Sequence, residues 1–283
     1  MNSMKSDVAR PPVGATSMMF WNRTVEQAVA AASVVGFDAI EIWAEHLWRD
    51  NEDPEVVARA LARAGIKCTV HCPIMDVNIA SPNYGIREVS LQQNIESVEL
   101  AAALGAELIV IHPGALYSRR NAREEFWSWQ VDALGQIIAA AEALDVCIAF
   151  ENMDVHAKKE VVTQPEDLAR ALASFSYDKL GITYDTTHRI TTEANLEFIA
   201  KVDNIIHVHL ADASTGPDGS IRTHLPLGEG NLDFRAMLRA LLPKFRGILS
   251  LETFIPASDD LSLVVQEREK VLALLDEACG IEV

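Results

Sequence analysis

Apolar residues recur along the chain in two alternating rhythms. Runs of six to eight residues, bounded by Gly, Pro, Asp or Asn, read as buried strands. Longer stretches with apolar positions three and four apart read as amphipathic helices. The strand rhythm falls at GATSMMF (14–20), DAIEIW (38–43), KCTVHCP (67–73), ELIVIHPG (107–114), VCIAFEN (146–152), LGITYDT (180–186), IIHVHLAD (205–212) and ILSLETF (248–254). Helical stretches lie between them, for example 24–36, 87–105 and 261–278. Eight strands alternating with eight helices predict an α/β protein, a single (β/α)8 TIM barrel. A doubly wound sheet would need a Gly-rich phosphate turn after its first strand, and the sequence has none there. No linker divides the chain, so we expect one domain over 13–283 after a loose tail, 1–12, that lacks the apolar core of a signal peptide.

Alternation within the strands sharpens the expectation. In VCIAFEN, Cys147, Ala149 and Glu151 share one face, with Ile148 and Phe150 on the other. LGITYDT separates Gly181, Thr183 and Asp185 from Ile182 and Tyr184; ILSLETF separates Ile248, Ser250 and Glu252 from Leu249 and Leu251. The bulky set suits the outer helices, and the small set ends in an ionisable group. Collected at the C-terminal strand ends, the inward residues are Glu41, His71, His112, Glu151, Asp185, His209 and Glu252, with His188 just beyond Asp185. Active sites of barrel enzymes sit at that face. So much unpaired charge calls for a bound cation. His207 would lie one layer deeper, and His46 and His156 read as surface loop residues.

Composition adds mainly exclusions. Among 283 residues, Lys and Arg number 24 against 41 Asp and Glu, a net charge of −17. That opposes a surface built to grip nucleic acid, and the stretch AEHLWRDNEDPE (44–55) adds five carboxylates against one Arg. No apolar run approaches the ~20 residues of a membrane span. Four cysteines with no CxxC pair suit a reducing, cytoplasmic setting.

The ordered set HCP (71–73), HPG (112–114), EN (151–152), DTTH (185–188), HLAD (209–212), HLPLGEGN (224–231) and LET (251–253) resembles the xylose isomerase-like barrel superfamily. That superfamily holds sugar isomerases and epimerases together with abasic-site nucleases of the endonuclease IV class. The resemblance to the epimerase branch implies one divalent metal on Glu151, Asp185, His209 and Glu252. Three carboxylates and one imidazole favour Mn2+, with Zn2+, Co2+ or Mg2+ also accommodated. The nuclease branch would add His71, His112, His188 and His224 around three zincs, with an aspartate where this chain has Arg222. A cation there repels a third metal.

The implied activity is that of a metal-dependent isomerase or epimerase acting on a sugar, sugar phosphate or related keto compound through an enediolate. Glu151 and Glu252 would be the catalytic pair, their pKa values pushed apart by neighbouring charges. His71, His112, His188, Arg222, His224, Glu41 and Trp43 would line the substrate; His71 and His112 could instead serve a second metal. GEGN (228–231) reads either as a phosphate cradle or as a tight turn capped by Asn231. A dehydratase or lyase begins with the same proton removal and is the alternative; a nuclease fits the charge poorly. The expected partner is a small carbohydrate-like molecule, not nucleic acid or membrane, and a homo-oligomer is compatible.

Overall fold

Each of the eight apolar runs contains a strand, though the first gives way to a 3-10 turn at Ser17–Phe20: β1 (Val13–Thr16), β2 (Ala39–Trp43), β3 (Lys67–His71), β4 (Ile109–Ile111), β5 (Ile148–Glu151), β6 (Leu180–Asp185), β7 (Ile205–Leu210) and β10 (Ile248–Leu251). In the computed structural model, which describes residues 9–255 and 258–280, they close in sequence order into one parallel barrel, β10 pairing with both β7 and β1. The strands stop short of their apolar runs where prolines such as Pro73 and Pro113 follow, because proline has no N–H for the ladder.

Helices α1 (Val25–Val35), α3 (Pro54–Ala64), α4 (Tyr84–Leu104), α5 (Glu124–Ala143), α6 (Pro165–Leu172), α7 (Thr192–Lys201), α8 (Phe234–Leu241) and α9 (Ser262–Cys279) surround the barrel. Local chemistry sets their starts. Thr24 and Gln27 form a capping box on α1, and Asn83 accepts from the N–H groups of Gly85 and Ile86 at α4. Ile148, Phe150, Ile182, Tyr184, Leu249 and Leu251 pack in the main core with helix residues such as Leu134, Ile137, Phe198 and Leu275. Fully burying a side chain such as Phe150 contributes ~1.5–3 kcal/mol.

Cross-strand register carries the other parity to the barrel interior. Glu41 pairs with Thr69, Trp43 with His71, His71 with Val110, Glu151 with Thr183 and Asp185 with His209. A bulge between β6 and β7 shifts the pairing from Ile182↔Ile205 to Thr183↔His207 and leaves Ile206 over. Ile206 joins Leu108, Val110 and Ala149 in a small interior cluster, using space beside Gly181. A Cβ on Gly181 would sit 2.6 Å from Ile206 Cδ1. Above this apolar floor the interior is polar.

Several expectations change. A short helix, α2 (Ala44–Arg49), fills the acidic stretch after β2, and His46 on it is buried, its Nε2 2.9 Å from the Arg23 carbonyl. His156 is half-buried. Three of the five acids there serve the backbone: Glu52 accepts from the N–H groups of Val25 and Glu26, Glu45 from those of Ile74 and Met75, and Asp53 caps α3. The chain after β7 turns into a hairpin, β8 (Asp212–Thr215) and β9 (Ile221–Leu225), that the sequence reading missed. The tail is anchored by Pro11, which is buried, and by the Pro12 carbonyl accepting from Leu249 N at 3.0 Å. Residues 1–8, 256–257 and 281–283 of the expected tail and domain lie outside the described residues. No helix among the described residues is long and apolar enough to cross a membrane.

Candidate metal centre

Glu151 ends β5, Asp185 ends β6, His209 stands one residue before the end of β7, and Glu252 follows β10. One donor atom from each lies within 4.8 Å of the others, and all four residues are buried. From His209 Nδ1 it is 3.1 Å to Glu252 Oε2, 3.3 Å to Glu151 Oε1 and 3.9 Å to Asp185 Oδ2. Two donors ~2.1 Å from one ion stand ~3.0 Å apart at right angles and ~4.2 Å apart when opposed, so these spacings suit one shared ion. Asp185 Oδ2 is buried without a hydrogen-bond partner, and buried Glu151 Oε2 has the His112 imidazole beside it, Nε2 at 3.0 Å. Buried, unpaired carboxylate oxygens are costly unless a cation meets them. The four residues fit a divalent ion.

Local structure aims each group. Asp185 Oδ1 accepts from the N–H and hydroxyl of Thr187 and from His188 N, which leaves Oδ2 for the barrel axis. Asn152, next to Glu151, locks the two strands by accepting from Asp185 N at 2.9 Å. The turn that follows is strained: β-branched Ile190 has φ +44°.

Three further imidazoles surround the four ligands in a common orientation. Nδ1 donates to a main-chain carbonyl in His71 (Cys72, 2.7 Å), His188 (Asn152, 2.6 Å) and His224 (Glu252, 3.1 Å). A carbonyl only accepts, so Nε2 is the nitrogen left for the site. His71 Nε2 lies 3.7 Å from Glu151 Oε2, His112 Nε2 3.0 Å from the same oxygen, and His188 Nε2 3.9 Å from Asp185 Oδ2. His71, His112 and Glu151 also form a group that could hold an ion, as do Asp185, His188 and His224. His224 has φ +52° and stacks on Phe254 with ring centroids 4.6 Å apart.

Burial alone would raise all three carboxyls. For Glu151 the imidazoles of His209 and His112 outweigh it and hold the group well below the usual range. Glu252 is likewise brought down to about 2, chiefly by His209. Asp185 instead goes up: burial dominates, and Glu252 and Glu151 add to it against His188 and His224. Both glutamates are thus shifted down and Asp185 up.

Two expected substrate contacts need correction. Glu41 is 0% exposed, with both oxygens bonded to imidazoles beneath the mouth. Trp43, 2% exposed, stacks on His71 at 4.7 Å and packs within the barrel. Arg222 is exposed on β9, bordering a recess with Leu225, Phe254 and Leu263. The cradle at GEGN is filled by the protein itself. Asp212, 1% exposed, accepts from Gly228, Gly230 and Leu232 N–H at 3.0, 2.9 and 3.2 Å. A Cβ on Gly230 would fall 2.2 Å from Asp212 Oδ1, so only glycine fits. Asp233, not Asn231, caps the helix that follows.

The sequence reading missed a cavity of about 290 Å³ beside His112, lined by Ile74, Asn78, Asn94, Met153 and Glu160. Burial pushes the Glu160 carboxyl up to about 7. These residues sit in loops and on a helix, where strand parity says nothing.

An uncharacterized protein of Methanocaldococcus jannaschii is 29% identical over 253 residues, covering 84% of this chain and 82% of that one. The fructoselysine 3-epimerase of Escherichia coli O157:H7 is 23% identical over 275 residues, covering 89% and 94%. The crystal structure of a D-tagatose 3-epimerase-like protein superposes with a TM-score of 0.80 at 26% identity, over 95% of this chain and 98% of the other. The family model for xylose isomerase-like TIM barrels matches residues 29–274, and the chain belongs to that family.

Proposed function

We propose that the protein is a divalent-metal-dependent epimerase or isomerase of a small keto-sugar or related polyhydroxy compound. The observation that carries this is the four-donor cluster with Asp185 Oδ2 buried and unpartnered, encircled by imidazoles that present Nε2. The likeness to fructoselysine 3-epimerase and to a D-tagatose 3-epimerase-like structure supports a ketose as substrate. With the GEGN nest filled by Asp212, nothing at that turn favours a phosphorylated one.

Glu151, Asp185, His209 and Glu252 would hold the ion, Mn2+ best matching their hard donors. When bound, it supplies Lewis acidity toward a carbonyl and its neighbouring hydroxyl. Glu151 and Glu252, from opposite sides of the mouth, both rest as carboxylates and can act as bases. One would remove the proton beside the carbonyl to give an enediolate, and the other, after taking a proton from solvent, would return it to the opposite face of that carbon. His112, 3.0 Å from Glu151 and a fifth exposed, passes the proton to and from water. His188 Nε2, His224 and Arg222 border the remaining opening and bind substrate oxygens. Glu160 and Asn94 receive the distal hydroxyls.

The test is incubation of the manganese-loaded protein with D-tagatose and with fructoselysine in heavy water. Deuterium entering the carbon next to the carbonyl, with a new epimer formed, is the expected result. Product formation without deuterium would replace enediolate chemistry with a hydride shift. Loss of a β-hydroxyl as water would assign a dehydratase. Incision of abasic-site DNA with three bound zincs would overturn the proposal.

A further inference from the structure

One carboxylate of the interior lies outside the proposed ligand set and outside the substrate opening. Glu41 on β2 is fully buried in the layer beneath the ligands, and its three partners are all side chains from other strands. Thr69 Oγ1 donates to Oε2 at 3.0 Å, and His207 Nε2 stands 2.5 Å from the same oxygen. His209 Nε2 stands 2.9 Å from Oε1.

An ionised carboxylate only accepts hydrogen bonds, so the proton at His209 Nε2 points at Glu41. In the neutral imidazole the lone pair is then on Nδ1. That is the nitrogen 3.1 Å from Glu252 Oε2 and 3.3 Å from Glu151 Oε1. His71, His188 and His224 show the opposite arrangement, with Nδ1 tied to a nearby main-chain carbonyl. His209 has no such carbonyl. Its orientation comes from a residue 168 positions earlier.

Glu41, His207 and His209 could alternatively share an ion of their own, since their donor atoms also cluster. The spacing argues against it. Two donors on one ion at ~2.1 Å and right angles stand ~3.0 Å apart, whereas Glu41 and His207 are 2.5 Å apart, too close for two donors with an ion between them and attainable only with a shared proton.

We propose that Glu41 is a positioning residue: it fixes the Nε2–H tautomer and ring orientation of His209, so that Nδ1 is presented to the ion, while His207 and Thr69 hold the carboxylate in place. This rests on the metal-dependent reading above. Outer carboxylates of this kind contribute ~10–100-fold to metal affinity. A glutamine at position 41 has one accepting and one donating end. It cannot accept from both imidazoles, so its NH2 end makes one of them an acceptor at Nε2: either His207 stops donating and carries its proton on Nδ1, or His209 does, which takes Nδ1 from the ion.

Two measurements test this on the full chain, without reference to turnover. In wild type loaded with Zn2+ and labelled with 15N-histidine, His209 is expected as the Nε2–H tautomer with Nδ1 bound. In chelator competition, Glu41→Gln should bind Zn2+ ~10–100-fold more weakly while still taking one ion per chain at saturation. Thr69→Val, a smaller change, should weaken binding ~2–5-fold, and it stands in if Glu41→Gln does not fold. A His209 ring bound through Nε2, or wild-type affinity in a folded Glu41→Gln, overturns the proposal. Loss of one of two bound ions on that substitution would make Glu41 a ligand instead, and also overturns it. A wild-type protein that binds no divalent ion fails the metal-dependent reading itself.

Discussion

Asp212 and Asp185 are both buried acids at the C-terminal end of the barrel, separated by one strand, and they are satisfied in opposite ways. Asp212 accepts from four backbone N–H groups, those of Ala213, Gly228, Gly230 and Leu232, at 2.8–3.2 Å. Its oxygens are solvated by the chain that surrounds it. Asp185 directs only one oxygen to local donors and leaves Oδ2 facing two other carboxylates without a partner. A buried acid with a full set of local donors shapes a loop. One held open toward like charges is prepared for a cation.

The largest expected effect comes from making both acids neutral. Asp185→Asn should reduce turnover by ~10³-fold or more, ~4 kcal/mol in the barrier, with the ion lost. Without metal its melting temperature should equal or exceed wild type, because the amide removes a charge that burial already disfavours. Calorimetry in the presence of a chelator checks this, and full retention of metal would remove Asp185 from the centre. Asp212→Asn should do the reverse. Its NH2 group would face N–H donors, costing ~2–4 kcal/mol in denaturant unfolding of the metal-free protein while the folded fraction still binds metal. Equal stability would break the comparison.

Glu160 sharpens the contrast as an acid of intermediate kind, half-buried near Asp154, Lys159 and His188. Its folded-state pKa of about 7 lies above the ordinary 4.5, so the folded protein holds the extra proton between those values. Wild-type stability should therefore contain a term that is lost as pH rises from 4.5 to about 7. Glu160→Gln removes that term. Unfolding at pH 4 should show little difference from wild type, and at pH 8 the variant should be more stable by about 1–3 kcal/mol. A pH-independent difference would contradict the burial argument. The smallest effect belongs to exposed Arg222: Arg222→Ala should raise KM a few-fold, leave metal affinity unchanged and alter stability by no more than ~0.5 kcal/mol. A drop in kcat with unchanged KM would place the guanidinium at the reacting atoms instead.

Much of the fold was legible because strands carry a two-residue period. The alternation in VCIAFEN and LGITYDT sorted Glu151 and Asp185 inward from Phe150 and Tyr184, and the barrel places them so. The resemblance supplied the expectation of one shared ion, and the geometry around His209 fits it. His46 and α2 were misread because a short polar stretch after a strand has no period to interpret. The β8–β9 hairpin was missed because Asp212–Thr215 is short and largely polar and follows β7 after a single residue, so it reads as the end of that run.

By itself the sequence determined the eightfold alternation, the face of each strand and the kind of donor at each strand end. Those are local properties, set by side-chain period and turn chemistry. Only the tertiary structure decided which acids are satisfied by neighbours and which are left open. Asp212 meets donors up to 20 residues away, and Glu41 meets imidazoles 166 and 168 residues away. Both depend on register and barrel closure. The tautomer of a histidine and the cost of a buried charge are set by what stands within ~3 Å, and in a closed barrel those neighbours come from strands far apart in the chain.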